Sequence, residues 1–95
     1  MAEIVWTGSA IEDLSNIGDY ISKDSFHFAS ITVDKLFKRS EILIWYPNIG
    51  RIVPEKNNES IRELLEGNYR IVYQIISEDR INILTIIHSS RLLEL

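Results

Sequence analysis

The chain has 95 residues, 45% of them hydrophobic and 25% charged, with six glycines and prolines in all. This composition excludes fibrous and disordered classes. The absence of cysteine excludes disulfides, thiolate metal sites and cysteine nucleophiles, and it suits a reducing cytoplasm. A net charge of −4 excludes a uniformly basic face of the kind that grips phosphates broadly, so any cationic site must be local.

Glu3 to Thr7 reads as a short strand with Ile4 and Trp6 in phase. The same segment has neither the basic start nor the apolar run of a secretory signal. No later stretch approaches the roughly 18 uncharged apolar residues of a membrane span. A cytoplasmic protein without a membrane partner is therefore expected.

Thr7 or Ser9 can cap the helix that follows, and Ser9 with Glu12 has capping-box spacing. Ala10, Leu14, Ile17 and Ile21 recur at helical spacing, with Glu12, Asp13, Asp19 and Lys23 mainly on the wet side. Asp24-Ser25 breaks and recaps the chain. A second helix follows, with Ala29, Val33, Leu36, Phe37, Ser40 and Leu43 along one stripe, and Pro47 and Gly50 end it. Two helices joined by so short a turn form an antiparallel hairpin. Trp6, Tyr20, Trp45 and Tyr46 read as core and helix-packing aromatics, and His27 as a surface or capping residue.

Asn48 to Glu59 is polar and turn-rich. Three strands then follow: Ile61 to Leu65, Tyr69 to Ile76 and Arg80 to His88, separated by turns at 66–68 and 77–79. The order β-α-α-β-β-β predicts one α+β domain over residues 1–95, with a helical hairpin on one face of a small antiparallel sheet. At this length folding buries about 60–65% of the unfolded surface, so stability is modest. The last two strands are apolar on both faces. Strict alternation puts Tyr69, Ile71, Tyr73 and Ile75 opposite Val72 and Ile76. It likewise puts Ile81, Ile83 and Ile87 opposite Leu84 and Ile86. The face without helices is covered partly by the tail Leu92-Leu93-Glu94-Leu95, by a protein partner, or by both together.

Arg51, Lys56, Arg62, Arg70 and Arg91 all fall in the strand-rich half, with His88 at the end of the last strand. A two-residue turn at Glu78-Asp79 pairs Tyr69 with His88 and sends Arg70 to the other face. A longer loop or a bulge brings Arg70 opposite His88. If these groups converge, His88 and Glu55 are the candidate acid and base for phosphodiester cleavage, and Arg62 and Arg70 the clamps on the phosphate. The competing reading has the same arginines in ion pairs with Glu55, Glu59, Glu63 and Glu66. With two histidines far apart and no glycine-rich phosphate loop, neither a metal nor a cofactor is expected.

Four segments together resemble the RelE/ParE toxins of type II toxin–antitoxin systems. They are Tyr46-Pro47-Asn48-Ile49-Gly50-Arg51, Arg62-Glu63-Leu64, Gly67-Asn68-Tyr69-Arg70-Ile71-Val72-Tyr73, and Ile83 through Arg91 with its His88-x-x-Arg91 ending. Trp6-Thr7, Ala10, Asp13-Leu14, Ile17 and Tyr20-Ile21 fit the family's first strand and helix. The resemblance implies a growth-inhibiting toxin masked by a cognate antitoxin, which alone contacts operator DNA. It also implies one of two targets. RelE-like members cleave mRNA in the ribosome without a metal, with Arg70, His88 and Glu55 or Arg62 in the working positions here. ParE-like members poison DNA gyrase, with Arg51, Arg70, His88 and Arg91 as contact residues here. The chain has no tyrosine after Tyr73, where nuclease members often use one near the C-terminus, and it lacks their basic surface. Together with the His88-x-x-Arg91 ending, this leans the reading to the ParE side.

Overall fold

A computed structural model describes residues 1–94. The elements run β1 (Glu3–Trp6), α1 (Gly8–Ser22), α2 (Phe26–Arg39), a 3-10 turn (Ser40–Ile44), β2 (Arg51–Ile52), β3 (Ile61–Glu66), β4 (Tyr69–Ser77) and β5 (Arg80–His88). The strands form one five-stranded sheet in the order β1-β5-β4-β3-β2. Three features correct the sequence reading. The second helix ends at Arg39 and tightens into the 3-10 turn, so it does not run on toward Pro47 as its apolar stripe predicts. The sheet is mixed, because β1 runs parallel to β5 while the other pairs are antiparallel. A two-residue strand, β2, also forms inside the segment read as loop, pairing Arg51 with Glu63 and Ile52 with Arg62.

Thr7, not Ser9, caps α1. Its hydroxyl accepts from the Ala10 N–H at 3.1 Å and lies 2.8 Å from the Ile83 carbonyl, to which it donates. One side chain thus starts the helix and ties it to β5. Ser25 caps α2 through the Phe28 N–H. The two helices approach closely where Gly18 faces Val33. The apolar stripes of the helices then meet the sheet: Ala10, Leu36 and Leu43 are buried with Leu64, Ile71, Tyr73, Ile81, Ile83 and Ile86. Each buried Leu or Ile of this cluster contributes on the order of 1.5–3 kcal/mol. Trp6 stacks on Phe37 at 5.5 Å. Tyr20, Trp45 and Tyr46, expected in the core, are instead 71%, 66% and 62% exposed, and Trp45 and Tyr46 lie beyond both helices, after the 3-10 turn.

The register of the last hairpin carries two shifts that cancel. Ser77 pairs with Arg80, Ile75 with Ile81, Tyr73 with Ile83 and Val72 with Thr85, leaving Ile76 and Leu84 as extra residues. The frame at the far end is therefore that of a simple two-residue turn, with Tyr69 opposite His88 and Arg70 opposite Ile87. The bulge at Leu84 also exchanges two residues between faces. Ile86 joins the helix-side core, while Ile87 joins Val53, Val72, Leu84 and Leu93 on the other side. Strict alternation had placed them the opposite way. Gly67, at φ 57°, supplies the positive φ needed at the first position of the two-residue turn between β3 and β4.

The segment before β2 hangs on Tyr73. The buried Tyr73 hydroxyl accepts from the Gly50 N–H at 3.0 Å and donates to the Pro47 carbonyl at 2.7 Å. Burial pushes the phenol upward from its ordinary value. A Cβ on Gly50 would stand 2.6 Å from both the Glu63 carbonyl and this hydroxyl. Gly50→Ala is therefore expected to lower unfolding stability by about 1–3 kcal/mol through overpacking. Gly8→Ala, where a Cβ meets nothing within 4 Å, should shift it by less than about 0.5 kcal/mol. Urea denaturation of both variants checks this.

Candidate functional site

The face away from the helices is built around one buried carboxylate. Glu63 lies on β3 with its side chain fully buried, and Arg51 and Arg70 reach it from either side. The Arg51 Nε donates to Glu63 Oε2 at 2.5 Å, and the Arg70 Nε donates to Oε1 at 2.5 Å. Arg70 turns its other two nitrogens to Glu55, at 2.7 and 2.8 Å, in a forked pair. Two guanidinium groups thus meet two carboxylates, and the cluster is neutral.

The same cluster holds the tail. Arg70 Nη1 donates to the Arg91 carbonyl at 3.0 Å, and the Leu93 N–H donates to Glu55 Oε2 at 2.8 Å. Leu93 is thereby set among Val53, Val72, Leu84 and Ile87. Of the two covers expected for this face, the chain supplies its own: the loop after β2 and the tail. Leu95, the last residue of that tail, lies outside the described residues. The Arg70 guanidinium, and next the Leu93 N–H, hold the Glu55 carboxyl at about 2. Glu55 in turn raises Arg70 above its ordinary value, with Glu63 assisting.

His88 stands on the other face. It neighbours Tyr69, whose ring meets it edge-on at 5.8 Å. The Ser90 N–H donates to His88 Nδ1 at 3.1 Å, and Ser90 Oγ lies 2.7 Å from the same nitrogen. Nδ1 is therefore the accepting nitrogen, and the neutral ring carries its proton on Nε2. His88 and Arg91 line a groove of about 540 Å³ between α1 and the end of β5, with Ile17, Tyr20, Tyr69 and Ile86.

The four residues proposed for cleavage do not form one site. Arg70 and Glu55 are brought together, but as each other's counterion. His88 is separated from them by the sheet. Arg62 pairs with Tyr73 in the ladder, so it also lies on the helix side. It spends its donors on the backbone carbonyls of Glu59, Gly50 and, at 3.4 Å, Asn48. Of the expected contact residues, Arg51 and Arg91 line a second groove of about 450 Å³ above the buried Arg70, and His88 does not reach it. No group of acidic or imidazole side chains could hold a metal ion among the described residues. No described helix is long and apolar enough to cross a membrane.

Two residues escaped the sequence reading. Asp13, placed on the wet side of α1, accepts from the Thr85 hydroxyl and, at 3.2 Å, from the Ile86 N–H. It covers the edge of β5 where β1 has already ended at Ile83. Glu63 was named only as a counterion. Its signal was its phase: alternation with the core residue Leu64 turns it to the sheet's far face, opposite Arg51.

The sequence matches a family model described as the ParE toxin of the type II toxin–antitoxin system parDE over residues 4–93. It is 30% identical over 92 residues to "Toxin RelE2" of Caulobacter vibrioides, covering 97% of this chain and all of that protein. A solved structure described as the chromosomal ParDE TA system from P. aeruginosa has the same fold. Its TM-score is 0.74 at 23% identity, over 93% of this chain and 96% of that one.

Two stability predictions follow from the ion-pair cluster. Arg70→Ala strands buried carboxylate and should cost about 3–5 kcal/mol in urea unfolding. Glu55 has an ordinary carboxyl value of 4.5 and is held at about 2 when folded. Its contribution is thus complete above 4.5 and is lost as pH falls toward 2. In the folded chain the Leu93 amide resonance should hold steady down through 4.5 and move only as pH approaches 2, and Glu55→Gln should remove the movement.

Proposed function

We propose that this chain, which belongs to the ParE toxin family and is the toxin of a type II toxin–antitoxin module, stops growth by binding DNA gyrase, with no hydrolytic chemistry of its own. A cognate antitoxin is its partner and relieves the inhibition; contact with operator DNA runs through that antitoxin. The ParE character is favoured over the RelE character by the family match along residues 4–93.

One observation supports the non-hydrolytic reading above the others. The arginine best placed in sequence to steady a phosphate, Arg70, is 5% exposed and already bonded to Glu55, Glu63 and the Arg91 carbonyl. Using it on a substrate would require breaking two buried ion pairs. His88 is equally unsuited to act as a base, because its accepting nitrogen is taken by Ser90. That leaves Arg51, His88 and Arg91 as contact residues, with Arg70 in a structural role.

The test is direct. The purified chain is added to gyrase and relaxed plasmid, and in parallel mRNA from induced cells is mapped by primer extension. The expected outcome is loss of supercoiling with gyrase-linked DNA breaks and no new mRNA ends. New ends in ribosome-bound mRNA, with supercoiling unimpaired, would overturn the reading in favour of a metal-independent endoribonuclease.

A further inference from the structure

We propose that the groove between α1 and the end of β5 grips the target. Its occupant is a protein segment that places a carboxylate beside an apolar side chain. The proposal rests on the reading of the chain as a target-binding toxin, and it specifies the surface and chemistry of that binding.

The groove has an apolar floor, and its rim carries the His88 imidazole and the Arg91 guanidinium. Ile17 and Ile86 lie on the floor, and the rings of Tyr69 and Tyr20 line the same groove. On the rim, Ser90 occupies His88 Nδ1, so the imidazole offers Nε2–H outward as a donor. Arg91 completes the rim. Its backbone is fixed at both ends, the N–H on the His88 carbonyl at 3.0 Å and the carbonyl on Arg70. Its exposed guanidinium makes no ion pair or hydrogen bond among the described residues. A fixed backbone carrying an uncommitted cation is preorganised for binding, because little ordering remains to be done.

The single acid lining the groove among the described residues, Asp13, is already engaged by the Thr85 hydroxyl and the Ile86 N–H. That engagement also decides the mode of docking. With the Ile86 N–H occupied, an incoming strand cannot extend the β5 ladder there, so the occupant binds through side chains. The unpaired Arg91 guanidinium selects an anionic group on the partner, and an apolar floor selects an apolar neighbour. A nucleic acid would also supply acceptors. However, its charge is spread along a backbone, and the net charge of −4 on this chain repels it. A single carboxylate on a protein needs only the local cation.

Four variants test the proposal: Arg91→Glu, His88→Glu, Arg91→Lys and His88→Gln. The readouts are growth arrest on induction, affinity for purified gyrase, affinity for a short generic RNA, and thermal melting to confirm folding. Arg91→Glu and His88→Glu are expected to weaken gyrase binding more than about tenfold and to relieve growth arrest, with melting unchanged. Arg91→Lys and His88→Gln keep a donor and should recover most of the loss. The proposal is overturned if Arg91→Glu binds and arrests growth like the parent, if His88→Gln is as defective as His88→Glu, or if RNA affinity falls in step with toxicity. Should the parent chain fail to bind gyrase while Arg91→Glu still abolishes growth arrest, the gyrase reading falls and the groove assignment stands.

Discussion

A carboxylate cannot be buried in a protein without its counterion, and Glu63 is buried completely. This requirement organises the sheet's far face. Glu63 draws Arg51 from β2 and Arg70 from β4, and Arg70 draws Glu55 from the loop between β2 and β3. Four segments distant in sequence are joined by groups that cannot be satisfied separately. The tail joins last, with its carbonyl at Arg91 and its N–H at Leu93 taken by the same ion pair. The apolar cluster of Val53, Val72 and Leu93 can close because these polar groups hold its lid in place.

The cluster has a functional cost as well as a structural use. An arginine that is buried and spends four of its five N–H donors on the fold has little to offer a substrate. Here Glu55 and Glu63 claim Arg70, and the cation left over at this end of the sheet is Arg91. In the proposed reading, contact with the target lies at the sheet's edge, where α1 and β5 leave a groove. The same edge is where β1 stops early, and Asp13 guards it. One helix therefore both protects the exposed strand and forms a wall of this groove.

Tyr73 plays the corresponding part on the helix side. Its ring is core, while its hydroxyl anchors the chain between Pro47 and Gly50. Arg62, beside it in the ladder, straps the same loop through the Gly50 and Asn48 carbonyls. The loop needs both anchors because it leads into a strand of only two residues. Without it, Arg51 would not reach Glu63. The two faces of the sheet are thus coupled through β2, with a polar cluster on one side and a tyrosine anchor on the other.

Hydrophobic period and turn chemistry by themselves determined that two helices precede three long strands, that the helices cover one face, and roughly where each element but α2 ends. These are local properties, read from Ala10-Leu14-Ile17, from the apolar density of β4 and β5, and from Gly67 and Asn68. The family likeness was also legible, because ordered segments such as Gly67 to Tyr73 and His88 to Arg91 survive in the linear text. The partners of the charged groups were not. Paired bulges at Ile76 and Leu84 fix which face each residue of β5 takes, and a bulge leaves no compositional mark. β2 and the β1–β5 pairing join residues far apart in the chain, so no local pattern announces them. Only the folded sheet decided that Arg70 turns inward to Glu63 while His88 turns to the opposite side. Side-chain direction in a strand depends on register, and register is settled by what the whole sheet must bury.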